Sequence, residues 1–145
     1  MPSQPGKIDP LWDMIDICRH SPELYFGGRN VRAIHLMLEQ IIDNTVNQIE
    51  LGTCTKLWVI LHRNHSITVQ DNGPGISVAM YAPYWVSFLE LVFTRVAGRY
   101  DSQRKIFIST LFHVGLSAVN ALSAKLRVTV ARSGFIWQQD YHAGI

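Results

Sequence analysis

Asp71 stands in a setting that can fix a carboxylate in place. Ile67 and Val69 alternate with Ser66, Thr68 and Gln70, the period of a half-buried strand, and the alternation stops at Asp71-Asn72-Gly73. Asn and Gly tolerate left-handed backbone angles, so a tight turn is expected there. Gly75 permits a second close backbone approach, and Ile76 supplies an apolar wall beyond it. An acidic group at a strand end, beside a loop of little bulk, can accept a hydrogen bond from the amino group of a flat ligand lying against the loop. An ordinary Asn-Gly turn would use the same residues, because short motifs are weakly specific alone.

A second set of polar groups is a row of amides. Gln40, Asn44 and Gln48 fall at i, i+4 and i+8, along one side of a helix. The row contains no lysine or arginine and neighbours a broad apolar stripe, so it is either a solvated face or the lining of a buried cleft. Other chemistry is poorly supported. His20, His35, His62, His65, His113 and His142 lack zinc-site spacing, and no Ser/His/Asp arrangement is visible. Trp12, Trp58, Trp85 and Trp137 are scattered, as core or interface residues are.

The makeup is that of one globular domain. The chain has 145 residues, 48% of them hydrophobic and 17% charged, enough to bury a core. A formal net charge of +2 is too small to argue for nucleic acid. The basic residues Arg95, Arg99, Arg104 and Lys105 suit a solvated loop. Cys18 and Cys54 form neither a metal pattern nor a disulfide framework, which fits a reducing interior. The opening Met1–Gly6 is no signal peptide, and no apolar run approaches membrane-spanning length. The expected location is cytoplasmic, with no membrane partner.

The elements that must position these groups follow from periodicity. Residues 1–20 form a lead-in with a short amphipathic helix whose face is Leu11, Met14, Ile15 and Cys18. Ser21 to Gly28 is expected as a loop packing through Tyr25 and Phe26. A helix capped by Asn30 runs to Leu51, with Ile34, Leu38, Ile41, Thr45 and Ile49 as its stripe, widened by Met37, Ile42 and Val46, and Gly52 as its stop. Lys56–His62 and Ile67–Gln70 form a hairpin. Ser77–Pro83 is a loop or single helical turn. Trp85–Val96 is a second helix with Phe88, Leu89, Val92, Phe93 and Val96 inward, and Ala97–Lys105 a mobile loop. Ile106–Thr110 suits a strand or a helix entry, and Val114–Leu122 is a third helix. Lys125–Arg132 and Phe135–Tyr141 form a second hairpin around Ser133-Gly134. The fold class is α+β: a two-layer sandwich whose mixed, mostly antiparallel sheet is covered on one face by helices. Its core should include Leu38, Ile41, Leu89, Val92, Val119 and Leu122.

In that order the blocks resemble a known family. Ser21-Pro22-Glu23-Leu24-Tyr25-Phe26-Gly27, Gln40-Ile41-Ile42-Asp43-Asn44-Thr45-Val46, Ile67 to Ile76, Phe88 to Asp101 and Val114 to Ser123 are together similar to the ATPase domain of bacterial gyrase B and topoisomerase IV B subunits. These are members of the GHKL superfamily, which has the Bergerat ATP-binding fold. The likeness runs from about Ser21 to Gly144, and residues 21–145 would be the nucleotide-binding domain, incomplete at its C-terminus. The resemblance implies Asp71 as adenine acceptor, with Gly73, Gly75 and Ile76 walling the base. It implies Asn44 as holder of the magnesium ion that accompanies ATP or ADP, and Gly115 as part of the phosphate loop before the third helix.

The departures from that family bear on hydrolysis. The position of its catalytic carboxylate is Gln40, and an amide cannot take a proton at neutral pH. General-base help is commonly worth ~10²–10⁴ in rate. Three phosphate-loop glycines are replaced by Ser109, Thr110 and His113, and the turn arginine with its helix acid by Pro74 and Asn47. Three functions are compatible with these residues. One is an active ATPase domain fragment of a type II DNA topoisomerase. Another is a pseudo-ATPase that binds adenine nucleotide, or that dimerises or joins topoisomerase-like subunits. The third is a nucleic-acid-binding remnant, DNA otherwise being an indirect partner. The pseudo-ATPase is favoured, because base and phosphate loop depart together.

Overall fold

The computed structural model describes residues 15–16, 18–82, 85–94, 99–101, 106–108 and 115–145, with backbone alone at 99–101 and 106–108. Between Ser21 and Gly28, where proline and paired glycine predict a loop, the chain makes one helical turn, α1 (Glu23–Phe26). Pro22 has a fixed φ of −62°, already helical, and the Gly27 N–H closes the turn on the Glu23 carbonyl. Tyr25 and Phe26 pack inward as expected.

Asn30 starts α2 (Val31–Glu50) as predicted, its Oδ1 accepting from the Ala33 N–H at 3.0 Å. The buried face of this helix takes in only part of the predicted stripe. Ala33 and Thr45 are buried, with Met37 and Ile41 packed alongside, while Ile34, Val46 and Ile49 are exposed. The reason lies in what each side chain meets across the fold. Ala33 is small enough to sit in the core cluster with Ala118, Val119 and Ala121, and Thr45 is drawn in by a polar partner described below. The rotation leaves Gln40, Asn44 and Gln48 half-buried, as cleft lining rather than a solvated face.

β1 (Leu57–Leu61) and β2 (Ile67–Asp71) form the first hairpin, with Leu57 opposite Asp71. Where a loop is expected after it, β3 (Met80–Tyr81) pairs with β4 (Val86–Ser87). This ladder delays the second helix, α3, to Phe88–Thr94. The Ser87 hydroxyl accepts from the Glu90 N–H at 3.0 Å, an N-terminal cap two residues inside the predicted start at Trp85. Leu89, Leu91 and Phe93 of α3 are buried, whereas Phe88 and Val92 are half-buried. Val96 lies outside the described residues, as do Leu11 and Met14.

Part of the predicted mobile loop is a strand: β5 (Arg99–Asp101) pairs with β6 (Ile106–Ile108). Then come α4 (Gly115–Leu122), β7 (Leu126–Arg132) and β8 (Phe135–Tyr141). Ser133 and Gly134 both have positive φ, 55° and 78°, the two-residue turn that matches strand twist. The class is α+β, as expected. Among the described residues the strands form four antiparallel pairs rather than one sheet.

Two core clusters meet at Ile41. One joins Ile15, Cys18, Phe26 and Ala33 to α4, and the other joins Leu89, Phe93, Leu116, Val130 and Tyr141. Asn120, fully buried, donates to the Phe93 carbonyl at 2.9 Å and ties α4 to the end of α3. Of the predicted core, Leu89 and Val119 are buried. Leu38, Ile41, Val92 and Leu122 are half-buried: α2 keeps one flank open, Val92 lies on α3, and Leu122 is the last residue of α4. Leu89→Ala should therefore cost about 2–5 kcal/mol in chemical denaturation, and Leu38→Ala distinctly less.

Candidate functional site

The site is assembled where α2 crosses the end of β2. Asp71 is the last residue of β2, and both of its carboxylate oxygens are engaged. Oδ2 accepts from the Thr45 hydroxyl at 2.9 Å, and Oδ1 accepts from the Gly73 N–H at 2.8 Å. Thr45 is 2% exposed, so its hydroxyl is shielded from competing water. An ionised carboxylate offers about four lone-pair sites, so these two bonds fix the group and leave it able to accept another. Thr45, placed in the apolar stripe by periodicity, is thus a polar partner of Asp71. A threonine one residue past Asn44 was the available signal.

The turn is held differently from the sequence expectation. Asn72 does not adopt a left-handed conformation, and neither does Gly73. The Asn72 side chain instead clamps the loop before β1. Its Oδ1 accepts from the N–H groups of Thr55 and Lys56, each at 2.9 Å, and its Nδ2 donates to the Thr55 hydroxyl at 2.9 Å. The left-handed residue is Gly75, with φ of +73°. A Cβ there would lie 2.6 Å from Cγ1 of Val130, so β7 presses directly on the loop. Arg132, also from β7, donates to the carbonyls of Pro74 at 3.3 Å and Gly75 at 3.1 Å. A guanidinium from another strand therefore braces a turn whose own arginine position is Pro74. Ile76 packs against the second core cluster.

Gln40 and Asn44 lie one helical turn apart on α2, both half-buried. The Gln40 Oε1 accepts from the Gly115 N–H at 3.3 Å, linking the amide to the first residue of α4. Asp71, Gly73, Gly75 and Ile76 thus form one corner through β2 and its loop, Asn44 adjoins it through Thr45, and Gln40 is brought to Gly115. Ser109, Thr110 and His113 lie outside the described residues, as do the side chains of Arg95, Arg99, Arg104 and Lys105.

Alternative chemistry has little support here. Burial pushes the Cys18 thiol up to about 11, so it stays protonated at neutral pH. Among the described residues, no three His, Cys, Asp or Glu side chains cluster as a metal site, and no helix is long and apolar enough to cross a membrane.

A carboxylate pinned at a strand end beneath a long helix, beside a glycine loop, forms one polar corner of an α+β fold. The chain belongs to the histidine kinase-, DNA gyrase B-, and HSP90-like ATPase family, whose model matches residues 29–138. It is 40% identical over 141 residues to the DNA gyrase B protein of Archaeoglobus fulgidus, covering 96% of this chain and 22% of that protein. It is 37% identical over 132 residues to the DNA topoisomerase 4 B protein of Mycoplasma genitalium, covering 90% of this chain and 21% of that protein. Its fold matches the 43K ATPase domain of Thermus thermophilus gyrase B, solved in complex with an aminocoumarin. There the TM-score is 0.74 at 31% identity, over 90% of this chain and 32% of that one. The chain spans about a fifth of the length of the curated relatives it matches.

The contact at Gly75 gives a direct test of the loop. Gly75→Ala should destabilise the protein by more than ~1 kcal/mol, since it combines positive φ with a clash. Adding Val130→Ala should recover only the steric part, leaving a negative coupling energy in a double-mutant cycle.

Proposed function

We propose that this chain is a gyrase B-like domain that binds adenine nucleotide but is impaired in hydrolysis, serving as a binding or dimerisation module. The observation that supports it best is the pairing of a fixed Asp71 with an amide at position 40. Asp71 is held at the strand end with acceptor capacity to spare, which suits the amino edge of adenine. Gly73, Gly75 and Ile76 would wall the base. Gln40 has the shape of a carboxylate but cannot act as a proton acceptor, and its oxygen already takes the Gly115 N–H. Glu39 is exposed and one residue, about 100°, around the helix, so it does not replace the missing base.

The side chains present fit a magnesium ion carried with the phosphates. Magnesium is commonly held by one or two protein oxygens, with phosphates and water completing its shell. Asn44, half-buried beside the corner, supplies one such amide oxygen. When bound, the ion would neutralise phosphate charge; Asn44 would orient it. A cytoplasmic location and partnership with a second copy or with topoisomerase-like subunits belong to the same proposal. A net charge of +2 favours only indirect contact with DNA.

One observation favours an active ATPase domain fragment instead, namely identity as high as 40% to a gyrase B protein. Calorimetry separates the two. Adenosine, ADP and ATP should bind with similar, weak affinity and little dependence on magnesium, because crowding by Ser109, Thr110 and His113 would remove the phosphate contribution. ATP binding that is much tighter than adenosine and strictly magnesium-dependent would restore the active reading. Asp71→Asn and Thr45→Val should each weaken adenosine binding about tenfold, the usual scale for losing or loosening a hydrogen bond to a charged group.

Hydrolysis has its own test. Gln40→Glu alone should leave phosphate release at the wild-type level, since a restored base still lacks phosphates held in line for attack. Clear turnover in that single variant would sink the pseudo-ATPase proposal.

A further inference from the structure

A second cavity, of about 400 Å³, lies at the opposite end of α2 from Thr45 and shares no lining residue with the Asp71 corner. Its floor is apolar, made by Ala33, Ile34 and Met37 of α2 and Leu122 of α4, and its wall carries Arg19 and Arg29. No acidic side chain lines it among the described residues. Among the described residues the two arginines are anchored by carbonyls rather than by carboxylates. Arg19 donates from Nη1 to the Ala121 carbonyl at 2.8 Å, and Arg29 donates from Nη2 to the Arg19 carbonyl at 2.7 Å. Each guanidinium has five N–H donors, so one bond apiece to a carbonyl positions the fork and leaves donors for an anion. The volume lies within the range of small-ligand pockets, which combine apolar walls with a few placed polar groups.

From this pairing we infer a binding site for a small amphipathic oxyanion, a carboxylate or phosphate headgroup on a short apolar body. The guanidinium fork matches the two oxygens of either headgroup, and it carries its charge at every physiological pH. The floor of Ala33, Ile34, Met37 and Leu122 accounts for the apolar body. A free inorganic anion would leave that floor wet, and a neutral alcohol would leave two charges without a partner. Met37 is a flexible, polarizable side chain that can adjust to different apolar bodies.

The test is a titration of the full chain, ¹⁵N-labelled, with octanoate, octyl phosphate, octanol and acetate. Octanoate, octyl phosphate or both should shift the amides of Arg29, Ala33, Met37 and Leu122 saturably, and bind at least tenfold tighter than octanol or acetate. Whichever headgroup binds more tightly identifies the anion. Arg29 is exposed, so Arg29→Gln should keep its spectrum elsewhere while losing about tenfold in affinity, with Arg29→Lys retaining part of it. Asp71→Asn should leave this binding unchanged, which keeps the outcome distinct from that of the nucleotide proposal. Octanol binding equal to octanoate, acetate binding equal to octanoate, unaltered affinity in Arg29→Gln, or no saturable shift at all would each overturn the assignment.

Discussion

The bond between the Thr45 hydroxyl and Asp71 ties the longest helix to the end of a strand, and much of the candidate site depends on it. It sets the rotation of α2. With Thr45 turned inward, Ala33, Met37 and Ile41 follow at helical spacing, and the amides of Gln40 and Asn44 are carried to the half-buried flank. A partly buried carboxylate needs hydrogen-bond partners, because an unpaired polar group away from water is costly. Here a hydroxyl and a backbone N–H supply those partners from two sides. The same two bonds that make Asp71 tolerable in a partly buried place also orient it.

The loop after Asp71 is held from outside its own sequence. Asn72 reaches back to the loop before β1, Val130 presses on Gly75, and Arg132 takes two loop carbonyls. The corner is therefore a junction of β2, the 54–56 loop and β7. That arrangement explains how Pro74 can occupy the turn without loosening it. Proline removes an N–H and the long side chain expected there, and Arg132 supplies a cation from the neighbouring hairpin.

Hydrolysis and binding make separate demands on this framework. Binding a base needs a fixed acceptor and a flat wall, both of which stay within β2 and its loop. Hydrolysis needs a proton acceptor near the phosphates, and the position proposed for it is Gln40, an amide bonded to the start of α4. On the proposed reading, losing one function would not require losing the other.

The elements with strong local signals were legible from residue order alone. Asn30 as a cap, the 57–61 and 67–71 strands, the Ser133-Gly134 turn and the α+β class all follow from periodicity or turn chemistry, which act over a few residues. The order of motif blocks likewise pointed to the family. Relations across long separations emerge only once the chain has folded. Thr45 with Asp71, Gln40 with Gly115 and Arg132 with Gly75 are separated by 26, 75 and 57 residues. Helical periodicity gave α2 an apolar stripe, but it could not say which flank would turn inward, because Ile34 and Thr45 each fit the repeat. The choice fell to small size at Ala33 and to one buried hydrogen bond, and both depend on what lies opposite. The β3–β4 ladder was likewise illegible, since two-residue strands carry no period and exist only through their partner.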